Sequence, residues 1–330
     1  MTDGEPAGFR PILAPMRHPA VWLLAAVLVL VPFVTTHAEP EPAPRPPIHA
    51  LSVTLEPSTH RIVGEDRIRF RDGRVEDNVF HLSPALTVTS VSAGGLDLKT
   101  PQRAKDGSFR IPAGGSEVVI RYEGTIHEGV KKEESLSWVR GDGTSGTIGE
   151  GGVYLSPAAG WYPMTERHRL AEVSIETRIP APWLTVTQGG VPKRSEVQVD
   201  GKTWNVAKGS AGIPTDGIAL VAGKFVTKSR EADGVTVSTY FYPQDEALQD
   251  LWLDEGIATV KRYTPILGTY PHEKFDIVAN FFQTGYGMPG WTLLGDRVIR
   301  YVSAKAPRMG GKIPPGSLDH EYVHGWFGTG

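Results

Sequence analysis

From Ile48 onward, apolar and polar residues alternate with a period of two. Leu51, Val53 and Leu55 alternate with Ser52, Thr54 and Glu56, and Val173, Ile175, Thr177 and Ile179 alternate with Glu172, Ser174, Glu176 and Arg178. Val235, Val237 and Thr239 repeat the pattern. Successive side chains of a strand point to opposite faces, so this spacing predicts strands with one face buried and one in water. Turn-forming pairs separate the runs: Asp72-Gly73, Asp106-Gly107, Asp200-Gly201 and Asp233-Gly234. Val197–Trp204, with Asp200-Gly201 at its centre, is the clearest predicted hairpin. Residues 48–240 are therefore expected to form an antiparallel β domain without internal repeats. Tyr154, Trp161 and Tyr162 lie in a Gly/Pro-rich stretch. They are expected to cap a sheet edge, with a substrate-facing loop as the alternative.

The pattern changes after residue 240. Pro243 suits a first helical position, Asp245 and Glu246 suit the positive N-terminal end, and Gly268 can stop the helix. Leu248, Leu251, Trp252, Val260 and Tyr263 recur near helical spacing, with Gly256 and Pro265 weakening it. Asp254-Glu255 reads as a solvated helix face rather than a metal site. Ile277–Phe282 is expected to be a buried strand, and residues 292–302 another. The basic, Gly/Pro-rich stretch 304–315 would then deliver Gly316 or Ser317 as the N-cap of a last helix.

The N-terminal part needs separate treatment. Residues 20–34 are an apolar run followed by Thr36-His37-Ala38, which predicts a signal peptide over residues 1–38, with Met16 as an alternative start. Export to a periplasmic or extracellular space is the expectation, and a membrane anchor made by residues 20–34 is the alternative. The membrane would then be touched only transiently, through the signal segment. Residues 39–47 form a proline-rich linker. A net charge of −3 gives no electrostatic case for nucleic acid, and the absence of cysteine excludes disulfide and thiolate chemistry. The 38 glycines and 27 prolines fit a turn-rich β protein better than a helical one.

The chemistry lies at the C-terminal end, where His320-Glu321-Tyr322-Val323-His324 reads H-E-x-x-H. Residues four apart share a helix face, so His320 and His324 can offer two imidazoles to one Zn²⁺. Glu321, roughly 100° around the helix, can act as a general base without being a ligand. Six residues follow His324, and none offers a good third ligand.

His320-Glu321-x-x-His324-x-Trp326-Phe327-Gly328 resembles the zinc motif of the membrane alanyl aminopeptidase family of gluzincin metallopeptidases. Gly285–Trp291 is similar to that family's G-A-M-E-N-W substrate strand, and Gly268–Asp276 to its G-x-Y-P-x-x-K run. The resemblance implies an α+β multidomain protein: an N-terminal antiparallel β domain, then the first half of a thermolysin-like domain over residues 241–330. It implies one Zn²⁺ per complete protein, held by His320, His324 and a Glu that would fall beyond Gly330. The chain would thus be a C-terminally truncated relative, binding zinc weakly or not at all. Glu321 would be catalytic, and Gly287, Met288, Pro289, Gly290 and Trp291 would bind a peptide substrate.

Departures from the pattern qualify the specificity. Pro289 stands where the family's amine-binding Glu is found, Gly290 replaces its Asn, and Gly325 and Thr329 differ from the usual residues. The expected function is hydrolysis of peptide bonds by metal-activated water. A non-catalytic scaffold for peptides or partners is the alternative, and a zinc hydrolase acting on a non-peptide substrate is a third class.

Overall fold

The structure is a computed structural model, and residues 45–131, 143–305 and 317–327 are described. The apolar run 20–34, the cleavage site at Ala38 and Gly316 lie outside the described residues. Within them, no helix is long and apolar enough to cross a membrane.

The alternating segments form the expected strands. An eight-stranded sheet runs, from edge to edge, through Lys193–Val199, Lys202–Ser210, Glu172–Pro180, Ile48–Glu56, Arg61–Arg69, Glu117–Thr125, Leu86–Ala93 and Leu96–Leu98. One face carries Leu51, Val53, Leu55, Ile62, Ile68, Val118, Ile120, Val173 and Ile175, all buried in a common core. Asp200 and Gly201 both adopt positive φ, 50° and 73°, the twist that a two-residue hairpin turn needs between its strands. The sheet is not purely antiparallel, however. Ile48–Glu56 pairs in parallel with Glu172–Pro180, in register from Ile48 against Glu172 to Thr54 against Arg178. Period-two alternation specifies which face is buried and is silent about strand direction, which is why the sequence did not show this.

The aromatic residues of 154–162 are core rather than edge caps. Trp161 is fully buried and its indole N–H donates to the Ile218 carbonyl at 3.0 Å. The Tyr162 hydroxyl accepts from the Ile218 N–H at 3.1 Å, and Tyr154 is buried on a four-stranded sheet made of 184–187, 220–223, 152–155 and 146–149. The glycines and prolines around them shape the backbone, while the rings turn inward.

A five-stranded sheet carries the remaining elements, in the order Val226–Ala232, Val235–Phe241, Lys274–Asn280, Trp291–Gly295, Gly285–Met288. The hairpin 226–241 therefore pairs with later strands, although its alternation alone groups it with the earlier ones. The pairings of 235–241 with 274–280, and of 274–280 with 291–295, are parallel. Such central strands are buried on both faces, and all seven residues of Lys274–Asn280 are buried. A 3₁₀ turn at Pro243–Leu248 leads into the helix Gln249–Leu267, which stops at Gly268 with φ 87°. Its outer face is ion-paired: Asp250 bonds Lys228 and Arg230 at 2.6 Å each, and Asp254 also pairs with Arg230. The expected strand 292–302 is real only to Gly295. Asp296–Lys305 is a helix, started by the Asp296 carboxylate accepting from the Arg297 N–H at 2.8 Å and tied by Arg300 to Asp245 at 2.7 Å. Ile299 is buried, and so short an apolar run does not separate helix from strand by period.

Lys274 and Asp276 form a fully buried ion pair in the central strand, and the Lys274 ammonium also donates to the Thr187 carbonyl at 3.1 Å. That bond ties the five-stranded sheet to the four-stranded one. Removing one partner leaves an uncompensated buried charge. We expect Lys274→Met to cost about 3–5 kcal/mol in urea unfolding, and the double change Lys274→Met, Asp276→Leu to recover most of it. Equal losses in the single and double variants would show that an uncompensated Asp276 charge is not what the single change costs.

Candidate metal centre

The helix Ser317–Val323 lies against the edge strand Gly285–Met288, against Trp291–Gly295 and beside the long helix. Its periodicity sorts its side chains. Leu318 and Tyr322, four apart, are buried in the core beneath it. Asp319 turns to the long helix, accepting from Arg262 at 2.5 Å and Thr259 at 3.3 Å. His320 is exposed and Glu321 is buried.

Regular helix ends at Val323, so His324 opens a turn rather than closing the helix. The turn is held by backbone bonds from Gly325 N to Tyr322 O and from Trp326 N to Val323 O, each 3.0 Å. These are the tighter bonds that satisfy orphan carbonyls at helix ends. His324 Nδ1 lies 3.0 Å from the Phe327 carbonyl oxygen, which can only accept, so Nδ1 is the protonated nitrogen there. Its Nε2 therefore presents a lone pair, and it faces His320 Nε2 at 3.3 Å.

These nitrogens fit a metal ion. Zn–N bonds of about 2.0–2.1 Å at the tetrahedral angle place two ligand nitrogens about 3.3 Å apart. A carbonyl bonded to the other ring nitrogen is the usual way a ligand imidazole is oriented. Ligating atoms of His320, Glu321 and His324 all lie within 4.8 Å of one another, and this is the one such group among the described residues. Burial pushes the Glu321 carboxyl above its ordinary pKa, while the two imidazoles pull it down.

The edge strand explains its own glycine. A Cβ at Gly287 would stand 2.7 Å from His324 Cβ and 2.9 Å from Glu321 Oε2, so a side chain there would collide with two members of the group. Among the expected substrate residues, Gly287 is brought against the His-Glu-His group. Tyr286 and Met288 pack with Tyr154 and Phe282 in another cluster, and Trp291 is fully buried in it. Pro289 and Gly290 form the turn between the two strands, Gly290 with φ 83°. Pro289 brings no charge to this turn.

Two neighbours went unremarked as site residues in the sequence, where only the 268–276 resemblance pointed near them. Tyr270 packs beneath Gly325. His272 lies between Gly290 and Gly325: a Cβ on Gly290 would stand 3.5 Å from its own Cβ. Burial holds the His272 imidazole down at about 4, against a backbone hydrogen bond to Gly325 that raises it.

No protein-family model and no curated protein matches the chain. Solved structures do. The M1 zinc metallopeptidase of Deinococcus radiodurans superimposes with a TM-score of 0.59 at 14% identity, covering 87% of this chain and 66% of that one. A substituted variant of that enzyme gives 0.60 at 14% identity over 86% and 65%. The variant bound to a Tyr-Ser-Ala substrate gives 0.57 at 14% identity over the same shares. The chain thus spans about two thirds of the length of these structures. The likeness is one of fold: a mostly β-sheet architecture with few helices, matching the N-terminal domain of M1 peptidases.

His272 gives a pH signature. Its folded pKa of about 4 lies below the unfolded value of 6.5, so the unfolded chain binds the extra proton between them. Its contribution is fully present above pH 6.5 and is lost as the pH falls toward 4. We expect His272→Gln to remove roughly 2 kcal/mol of the acid-induced loss of stability over that interval, measured by urea unfolding at several pH values. An unchanged slope would place the titrating group elsewhere.

Proposed function

We propose that this chain supplies the two imidazoles and the general base of a zinc peptidase centre, built on the first part of a thermolysin-like domain. The observation that carries this reading is the convergence of His320 Nε2 and His324 Nε2 at 3.3 Å, with the buried Glu321 beside them. Zinc, when bound, would supply the Lewis acid that activates water and polarises a carbonyl. The residues of the chain do the rest. Glu321, next to His320 in sequence and facing the same space, takes a proton from water. Gly287 lets the substrate strand approach the base closely, and the outer edge of Gly285–Met288 offers backbone groups to an extended peptide. The activity of the D. radiodurans enzyme belongs to a longer chain, and its extension to this one is part of the proposal.

Ligand count sets the expected affinity. Among the described residues, two imidazoles are the nitrogens gathered at this group, and a catalytic zinc is ordinarily held by three protein ligands. Zinc on the 330-residue chain should therefore be weak and lost on dialysis, weaker still in His324→Ala, and within about threefold of wild type in Glu321→Gln. Elemental analysis and dye competition measure this. Stoichiometric, dialysis-resistant zinc would reveal a third ligand within the chain, and a large loss in Glu321→Gln would make Glu321 a ligand instead of a base.

Pro289 favours a second reading, a peptide-binding scaffold without strict aminopeptidase chemistry. The turn at the end of the substrate strand offers no carboxylate to an α-ammonium group. A peptide and its N-acetylated form should bind the Glu321→Gln variant with similar affinity in calorimetry. A hundredfold preference for the free amine, about 2.7 kcal/mol, would mean that another carboxylate anchors it.

A further inference from the structure

We infer that Tyr270 is a positioning residue for the imidazole of His324, an inference that rests on the reading of His320 and His324 as a metal pair. Helix geometry alone does not place His324. The regular helix stops at Val323, and the turn that carries His324 is joined to it by bonds from Trp326 N and Phe327 N to Val323 O, at 3.0 and 3.2 Å, and seated by what it packs against.

Tyr270 sits where it can seat that turn. A Cβ on Gly325, the residue after His324, would lie 2.3 Å from Tyr270 Cε2 and 2.8 Å from both Cζ and the hydroxyl oxygen. The turn therefore rests on the face or edge of this ring with no room for a side chain between them. The ring cannot easily tilt. It is stacked on Tyr322 at 4.4 Å with the planes 14° apart, and meets Trp326 edge-on at 5.0 Å and 70°. Phe275 closes a further side at 6.1 Å and 80°, and also packs edge-on against Tyr322 at 4.9 Å. Tyr322 and Trp326 bracket His324 in sequence, two residues before and two after, and meet each other at 5.2 Å. The same ring thus grips the last turn of helix and the turn that follows it, and fixes the angle between them. That angle decides whether the two Nε2 atoms meet.

The ring makes the nearest contact with that Cβ position, through Cε2 at 2.3 Å, with the hydroxyl oxygen further off at 2.8 Å. Among the described residues the Tyr270 hydroxyl has no well-formed hydrogen bond and only the Gly290 N–H approaches it, so Phe gives up at most that weak contact. This separates positioning from polar chemistry and shapes the test. Tyr270→Phe, Tyr270→Leu and Gly325→Ala are made in the 330-residue chain, with Val237→Ala, in the same core, as a packing control. The His324 tautomer is read in metal-free protein by long-range ¹H–¹⁵N NMR, assigned with His324→Asn, alongside Zn²⁺ affinity and thermal unfolding.

The expected result is a fixed Nδ1–H tautomer for His324 in wild type, Tyr270→Phe and Val237→Ala. In Tyr270→Leu and Gly325→Ala the tautomers average and zinc binds at least tenfold more weakly. Leu or Ala variants that unfold at lower temperature yet keep the wild-type tautomer would overturn the proposal, as would averaging in Val237→Ala. Zinc binding in wild type that is indifferent to His324→Asn would sink the metal reading instead, and the tautomer comparison would still decide the role of Tyr270.

Discussion

The missing side chain at Gly287 is the constraint on which the site depends. A helix can rest on a strand only as closely as the side chains between them allow. Here that distance is set by the β-carbon and ring of His324 and by a carboxylate oxygen of Glu321, which occupy the space a Cβ at 287 would need. Because the strand yields this space, the H-E-x-x-H group lies against a sheet edge rather than above it. The sheet beneath is stiff: its central strand is buried throughout, and its core joins Phe275, Ile277 and Leu294 to Leu318 and Tyr322 of the helix. The histidine pair is therefore referred to a rigid floor through a contact of a few atoms.

Aromatic packing supplies the second restraint. Tyr263, Tyr270, Phe275, Tyr322 and Trp326 surround the end of the helix with rings in stacked, tilted and edge-on contacts. Such contacts resist sliding better than aliphatic ones because ring planes have preferred angles. A helix of seven residues has little stability of its own, so these rings, more than helix propensity, hold it in place.

Much of this was legible in the sequence, for reasons that differ by residue. The strands at 48–56 and 172–180 announced themselves because one face is buried and the other wet, which writes a period of two. The helix from 249 to 267 was legible through its flanking Pro243 and Gly268. Parallel pairing was hidden, since strand direction leaves no mark on alternation. The helix at 296–305 was mistaken for strand because its apolar residues are few and follow directly on a true strand. The rings of Trp161 and Tyr162 were misplaced because Gly and Pro neighbours describe the backbone path and say nothing about where side chains point. At the site, His320, Glu321 and His324 were visible from spacing alone. Tyr270 and His272 were not, because they reach the turn from a loop about fifty residues away, and no local pattern encodes that meeting.

The parallel partnership of Ile48–Glu56 with Glu172–Pro180 has a consequence for how the chain must assemble. The first strand among the described residues ends up in the interior of the large sheet, with Arg61–Arg69 on one flank and a strand more than a hundred residues later on the other. A ribosome adding about 5–20 residues per second leaves that flank open for several seconds, a long interval for an unpaired strand. Pairing so distant in sequence also slows folding once the chain is complete, because the intervening loop must be closed before the contact repays it. The nascent protein thus passes through a stage in which a strand carrying Leu51, Val53 and Leu55 shows an open edge, and whatever keeps that edge from other chains acts before the His-Glu-His group has been made.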